Sequence, residues 1–346
     1  MGVEGTPPVV VVGASAGGVE ALREFVGHLP ADFPGCVLVV LHMPPTAASA
    51  LPRILARSGS LPVRGASEGA PLEPGTILVG VPDQHLVVLP DSVTLTRGPT
   101  ENGHRPAIDV LFRSAARHHA GRVTAVVLSG SLDDGAAGMV AVRCRGGHGI
   151  VQDFDEAPYA GMPAAAAAAA TVEVLPIARI PARLVEVMAA APDPPADNAA
   201  GLIARETDVS DLDPDELHDP ERPGTPAGLG CPSCGGALFQ IDEATLVRFR
   251  CRVGHAWSPE SLLEQQTLAL ESALWRAIRS LEEKVALATD LADRAKGRGS
   301  LHSAARFAGT ASDAKGAAEV VRRLVDTLGA EGTPLPGTEE RAVDEG

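Results

Sequence analysis

Over its first 188 residues the chain alternates between two kinds of segment. Short, unbroken apolar runs, Val9-Val10-Val11-Val12, Cys36-Val37-Leu38-Val39-Val40-Leu41 and Val123-Thr124-Ala125-Val126-Val127-Leu128, stop at Gly, Ser, His or Pro. Stretches with apolar residues at helical spacing begin near Gly18 and Ala136. Runs apolar at every position are strands covered on both faces, and strands alternating with helices make a parallel sheet. The pattern predicts a doubly wound, mainly parallel α/β domain over 1–188, with ligand chemistry along the carboxyl ends of its strands. After it come an acidic, Pro-rich stretch (189–229), a short Cys-containing module (230–257), two long helical patterns (258–329) and an acidic tail expected to be disordered (330–346).

The first strand runs directly into Gly13-Ala14-Ser15-Ala16-Gly17-Gly18. A Gly-x-Ser-x-Gly turn between strand and helix exposes a serine hydroxyl at the strand's carboxyl end, with helix amides aimed at the same spot. A phosphate cradle or a plain tight turn has the same signature. A dinucleotide site, however, would want an acidic residue after the second strand, where this chain has His42-Met43-Pro44-Pro45. His42 is then a candidate general base for Ser15, against the plainer reading of a helix-capping or half-buried histidine. The strand from Val123 leads into Ser129-Gly130-Ser131-Leu132-Asp133-Asp134-Gly135. Asp133 and Asp134 are both candidate carboxylates, and both are candidate helix caps. The chain order Ser, His, Asp differs from that of α/β-hydrolases, which place the histidine last.

Six segments together resemble the catalytic domain of the chemotaxis protein-glutamate methylesterase (CheB) family. They are residues 13–18, Leu41-His42-Met43-Pro44-Pro45, Pro82-Asp83-Gln84-His85-Leu86, the stretch from His104 to Phe112, Asp134-Gly135-Ala136-Ala137-Gly138-Met139 and Gly161-Met162-Pro163. The resemblance implies Ser15 as nucleophile, His42 as base and Asp134 as the carboxylate that orients it, with Asp133 a neighbour. It implies hydrolysis of glutamate γ-methyl esters on a methylated chemoreceptor, extending to deamidation of glutamine, with no cofactor for catalysis. Amides of Ala16 and the Gly130-Ser131 loop are the expected oxyanion donors. The chain departs from the family at Leu132, where relatives have glycine. If that position needs positive φ, leucine there is strained by about 1–2 kcal/mol. Many relatives carry an amino-terminal receiver domain; the first strand here starts at Val9, so control is expected from the carboxyl-terminal half or a partner.

With 346 residues and 45% apolar content, the chain can bury one substantial core and add small modules. No apolar stretch approaches the ~20 residues of a membrane span, and the start lacks a secretory pattern, so a cytoplasmic protein without direct membrane insertion is expected. Met1-Gly2-Val3-Glu4-Gly5-Thr6 fits a myristoylation pattern only formally. Of the net charge of −15, the acidic stretch 189–229 holds ten carboxylates against Arg205 and Arg222, so most of the charge describes a solvated tether. Asp211, Asp213 and Asp215 mimic a calcium loop, but Glu216 and Arg222 stand where Gly and Glu are required.

Cys36 and Cys144 fall in a strand and a helix as free thiols, in keeping with a reducing compartment. Cys231-Pro232-Ser233-Cys234 and, after sixteen residues, Cys251-Arg252-Val253-Gly254-His255 supply four ligands at the spacing of a structural zinc ribbon. Four protein ligands leave no open position for zinc catalysis. Ser258-Pro259 then caps a long helix. One stripe runs through Leu263, Leu270, Leu274, Ala277, Leu281, Val285 and Ala288; a second, after Gly297 and Gly299, runs through Leu301, Ala304, Ala308, Ala317, Val321, Leu324 and Leu328. The two form a hairpin that either buries its own stripes or docks on a receptor bundle, a chemosensory scaffold or another copy.

Two other classes compete with the esterase. A receptor-binding adaptor of the same fold would have lost catalysis through the altered Ser131-Leu132 loop. A nucleic-acid module is suggested by Arg248, Arg250 and Arg252, but residues 231–326 carry thirteen basic against twelve acidic residues, too balanced for phosphate neutralisation.

Overall fold

The computed structural model describes residues 7–46, 49–190, 224–243 and 246–331. Most of the acidic tether, the calcium-like aspartates, the amino-terminal myristoylation pattern and residues 332–346 lie outside the described residues.

Seven parallel strands form the central sheet, in the order β3 (Val63–Gly65), β4 (Thr76–Val79), β2 (Cys36–Leu41), β1 (Val9–Ala14), β7 (Val123–Val127), β8 (His148–Gln152), β9 (Glu173–Leu175). A separate antiparallel hairpin, β5 (His85–Val88) with β6 (Val93–Thr96), follows β4 in the chain. β1 pairs with β2 through Val9↔Cys36 and with β7 through Val9↔Val123, so the three apolar runs are adjacent strands. The chain moves out from β1 in one direction and later resumes at β7 in the other. Their carboxyl ends therefore flank a topological switch point, where α/β sheets open a crevice.

Alternate residues of the runs feed opposite faces. Val9, Val11, Leu38, Val40 and Ala125 pack with Phe112 of α3 (Ile108–His119), Met139 of α4 (Ala136–Cys144) and Met162 of α5 (Gly161–Ala169). Val10, Val12, Val37, Val39 and Val126 pack with Leu22 and Phe25 of α1 (Gly18–Gly27), Leu55 of α2 (Leu51–Leu55) and Leu184 of α6 (Ile180–Ala189). Burying each such side chain is worth about 1.5–3 kcal/mol, which is why both faces of these strands are almost wholly apolar, Thr124 of β7 being the buried polar exception. Cys36 is within this core, and burial pushes its thiol up to about 11.

The Cys-containing module is a four-stranded antiparallel sheet, β10 (Thr225–Gly230), β11 (Ala237–Glu243), β12 (Leu246–Cys251) and β13 (Ala256–Trp257). Its first strand begins at Thr225, within the span expected as tether to residue 229: Thr225 and Pro226 pair with Gln240 and Phe239, which a solvated linker would not do. Its core is small, with Cys231, Leu238, Cys251, Trp257 and Leu262 buried together. The module is also no free appendage. It belongs to one compact unit with the parallel sheet, residues 1–263.

Residues 264–346 form the second unit. Helix α7 (Pro259–Gly297) enters it and α8 (Leu301–Glu331) follows a turn in which Gly299 has φ 74. The Glu282–Arg322 ion pair ties the two helices as an antiparallel pair. Their covered positions differ from the expected stripes. In α7 they include Leu274, Ile278, Leu281, Val285, Ala288, Ala292 and Ala295; in α8 they include Ala304, Phe307, Ala311, Ala314, Ala318, Val321, Val325 and Leu328. Leu263, Leu270, Ala277, Leu301, Ala308, Ala317 and Leu324 are exposed instead. The covered positions alternate 3 and 4 apart, the 3.5-residue repeat of two helices wound on each other, whereas the expected stripe let the spacing drift.

Candidate active site

Ser15 follows β1, His42 follows β2 and Asp134 lies in the loop after β7, so three neighbouring strand ends deliver one side chain each to the same rim. His42 Nδ1 is 3.1 Å from Ser15 Oγ, and His42 Nε2 is 2.7 Å from Asp134 Oδ2. A carboxylate only accepts, so Nε2 carries the proton and donates to Asp134. Nδ1 is then the lone pair that accepts from the serine hydroxyl.

The turn around the serine has a different shape from the strained elbow of α/β-hydrolases. Among the described residues the positive φ here belongs to Gly17, at 70°, and Ser15 has none. Ser15 N–H donates to Ser129 O at 2.9 Å and Ser129 Oγ donates to Ala16 O at 2.8 Å, tying the β1 turn to the β7 loop. On that loop Leu132 has φ 61, the left-handed conformation that glycine takes without strain. Gly130 N–H donates to Tyr159 O at 2.9 Å, so it is committed away from an oxyanion, contrary to the expectation that included it.

Asp134 is buried, and burial alone would raise its pKa. The hydrogen bond and charge of His42, then His104 and the Ile108 amide, bring it down to about 2. Its Oδ2 accepts Ile108 N–H at 2.7 Å and its Oδ1 accepts Asp109 N–H at 3.2 Å and Asn102 Nδ2 at 3.2 Å. The two amides open α3, whose positive dipole end thus faces the carboxylate. The approach requires Gly13, because a Cβ there would stand 2.4 Å from Ile108 Cγ2.

Three residues of this site had no role assigned from sequence. His104 stacks on His42 with ring centroids 3.5 Å apart and 11° between planes; burial, then the charge of His42, lower its pKa to about 4. Asp109 is a second buried carboxylate: Oδ1 accepts Gly135 N–H at 3.1 Å and Gly138 N–H at 2.7 Å. Burial, then the charge of Asp134, raise it to about 7. Asn102 has φ 50 and Gly103 φ 79, and Glu101 and His104 exchange backbone hydrogen bonds, a tight two-residue turn with both central residues left-handed. The Asn-Gly pair is a sequence signal for that turn. Nothing in the sequence says that it lies against Asp134. A cleft of about 430 Å³ opens beside His42, lined by Met43, Pro44, Asp83, His104 and Arg105 among others.

In the ribbon, the ligand atoms of Cys231, Cys234, Cys251 and His255 all lie within 4.8 Å of one another. Cys234 Sγ and Cys251 Sγ are 3.7 Å apart, and Cys251 Sγ is 3.5 Å from His255 Nδ1. Zinc bonds of about 2.3 Å to sulfur and about 2.0 Å to nitrogen give tetrahedral edges of about this length. Arg248 and Arg250, which suggested nucleic acid, are buried and pair with Glu101 at 3.2 Å each. They are committed inside the protein.

Comparison with known proteins places this site in context. The family model of CheB methylesterase matches residues 10–184. A protein of Burkholderia lata named protein-glutamate methylesterase/protein-glutamine glutaminase 2 is 40% identical over 183 residues, covering 52% of this chain and 54% of that protein. A protein of the same description from Methanosarcina mazei is 39% identical over 163 residues, 45% of this chain and 44% of its own length. The chain thus spans about half the length of the curated relatives it matches. The crystal structure of the Thermotoga maritima CheB methylesterase catalytic domain superposes with a TM-score of 0.51 at 31% identity, covering 53% of this chain and 99% of that domain. With a serine, an imidazole and a carboxylate in hydrogen-bonded series on the rim of that fold, and the family match running from β1 into α6, the chain belongs to the CheB methylesterase family.

Proposed function

We propose that this chain is a serine hydrolase that removes the γ-methyl ester from glutamate side chains of a chemoreceptor. The observation that carries the reading is the unbroken series Ser15 Oγ, His42 Nδ1, His42 Nε2, Asp134 Oδ2, with gaps of 3.1 and 2.7 Å. His42 Nδ1 takes the hydroxyl proton as Ser15 attacks the ester carbonyl, and returns it to the leaving methoxide so that methanol departs. Water, deprotonated by the same nitrogen, then releases the glutamate carboxylate. Asp134, ionised and hydrogen-bonded on both oxygens, fixes the tautomer and stabilises the imidazolium. Ala16 N–H, following the nucleophile, and Ser131 N–H are the oxyanion donors in this reading. An amide carbonyl in the same place gives ammonia, which accounts for glutamine deamidation as a second activity of the same site.

The names of the relatives support the substrate class. No helix among the described residues is long and apolar enough to cross a membrane, in keeping with a cytoplasmic enzyme acting on the signalling helices of its receptor. The paired helices α7 and α8 are the part of the chain suited to a helical chemosensory scaffold, and the Cys231-Cys234-Cys251-His255 site holds one structural zinc.

Purified chain and a methylated receptor fragment test the reading by release of methanol. Ser15→Ala should abolish release, together with labelling by a fluorophosphonate. Methanol formation unchanged in that variant removes Ser15 from the mechanism. Wild-type protein that binds the fragment but is never labelled turns the assignment to a receptor-binding adaptor.

A further inference from the structure

The ribbon reaches the back of the catalytic carboxylate. Its strand β13 bridges to Glu101, and Asn102 N–H donates to Ala256 O at 2.8 Å. Asn102 then spans the two parts: its Oδ1 accepts Ser258 N–H at 2.9 Å, while its Nδ2 donates to Asp134 Oδ1 at 3.2 Å and to Asp109 Oδ2 at 3.3 Å. Beside it, buried Glu101 pairs with Arg113 of α3 at 2.7 Å and with Arg248 and Arg250 of the ribbon. Arg248 also stands 3.5 Å from Asp109. On the other side Asp133 accepts Ser258 Oγ at 2.7 Å and Ser261 Oγ at 3.0 Å.

These contacts do more than glue one surface to another. Asp134 holds His42 through Oδ2, and its other oxygen is held by an amide that the ribbon itself orients. Two buried carboxylates, Asp109 and Asp134, face each other across Asn102, an arrangement that repels unless cation charge lies near. Arg248 brings part of that charge in from the ribbon, and Arg113 of α3 lies 4.0 Å from the same Asp109 oxygen.

We infer that the docked ribbon is a positioning element of the catalytic site, holding the Asp109–Asp134 pair through Asn102 and Arg248, so that His42 is correctly aimed at Ser15 only when the ribbon is in place. The inference rests on the hydrolase reading. It identifies a part of the carboxyl-terminal half through which activity can be controlled.

The test uses the full chain, a fluorophosphonate probe for Ser15 and methanol release from a methylated receptor fragment. Asn102→Gly keeps the left-handed backbone while removing all three side-chain hydrogen bonds; Arg248→Met removes the cation and Arg248→Lys keeps one. Asn102→Gly and Arg248→Met should slow labelling and lower kcat about tenfold or more while KM stays within about twofold, and Arg248→Lys should recover most of the loss. Far-UV circular dichroism of each variant reports folding, and if Arg248→Met fails to fold, Asn102→Gly decides alone. Folded Asn102→Gly labelled at the wild-type rate overturns the inference while leaving the hydrolase intact. Wild-type protein not labelled at Ser15 overturns the hydrolase and the inference together.

Discussion

His104 lies face to face with the histidine that serves the serine, and burial, then the neighbouring ring, hold it neutral down to about pH 4. In the unfolded chain it would charge near its ordinary value of 6.5. Below that pH the unfolded state binds the extra proton and the folded state does not, so stability should fall as pH drops from about 6.5 towards 4. His104→Gln should flatten this part of the profile; melting temperatures at pH 4.5 and 7 check it, and an equal loss in wild type and variant would refute it. Leu132 makes a separate case. Its φ of 61 costs about 1–2 kcal/mol, partly offset in any glycine variant by the extra freedom of the unfolded chain. Leu132→Gly should therefore stabilise by up to about 1 kcal/mol, read as a higher denaturation midpoint. Ser15 and His42 were legible because each sits at the end of an apolar run, where strand chemistry stops abruptly. Asp109 was not, since an acidic residue in the first turn of a helix looks like an ordinary dipole partner, and only its neighbours make it a second buried carboxylate.

At the level of elements, the paired helices show what a stripe read by eye misses. Leu270 looks like a core residue from its spacing to Leu274 and is 49% exposed, whereas Ile278 is buried. Ile278→Ala should cost about 2–4 kcal/mol of the helical unit's stability, and Leu270→Ala less than about 0.5. Helical circular dichroism during chemical denaturation of the full chain resolves the two; equal effects would return the seam to the drifting stripe. The buried alanines Ala295, Ala314 and Ala318 explain why this pairing was hard to see, because small residues at a seam leave a weak hydrophobic signal. The cap at Ser258 is plainer. Its Oγ accepts Ser261 N–H at 3.0 Å, the bond a serine before proline announces.

For the molecule as a whole, the ribbon's core of five residues is too small to hold a fold by itself, a task that falls to the docking surface and, on the zinc proposal, to the metal as well. Elemental analysis should find about one zinc per chain, the stoichiometry of one four-ligand site. Chelation should release it and open residues 225–257 to protease, with labelling of Ser15 slowing in parallel. A chelated chain that keeps the segment protected would speak against the metal. Local chemistry determined much of this protein from the sequence alone. Three apolar runs specified buried parallel strands, the residues after them specified a serine, a histidine and a carboxylate, and the spacing of one Cys–Cys pair and one Cys–His pair specified a ribbon. Each of those signals is short in range, set by strand burial, turn geometry or ligand spacing. Only the tertiary structure decided that Glu101 meets Arg248 across 147 positions and that Asn102 joins Ser258 to Asp134. Such contacts are paid for by burial, and which polar groups are buried together depends on how whole elements pack.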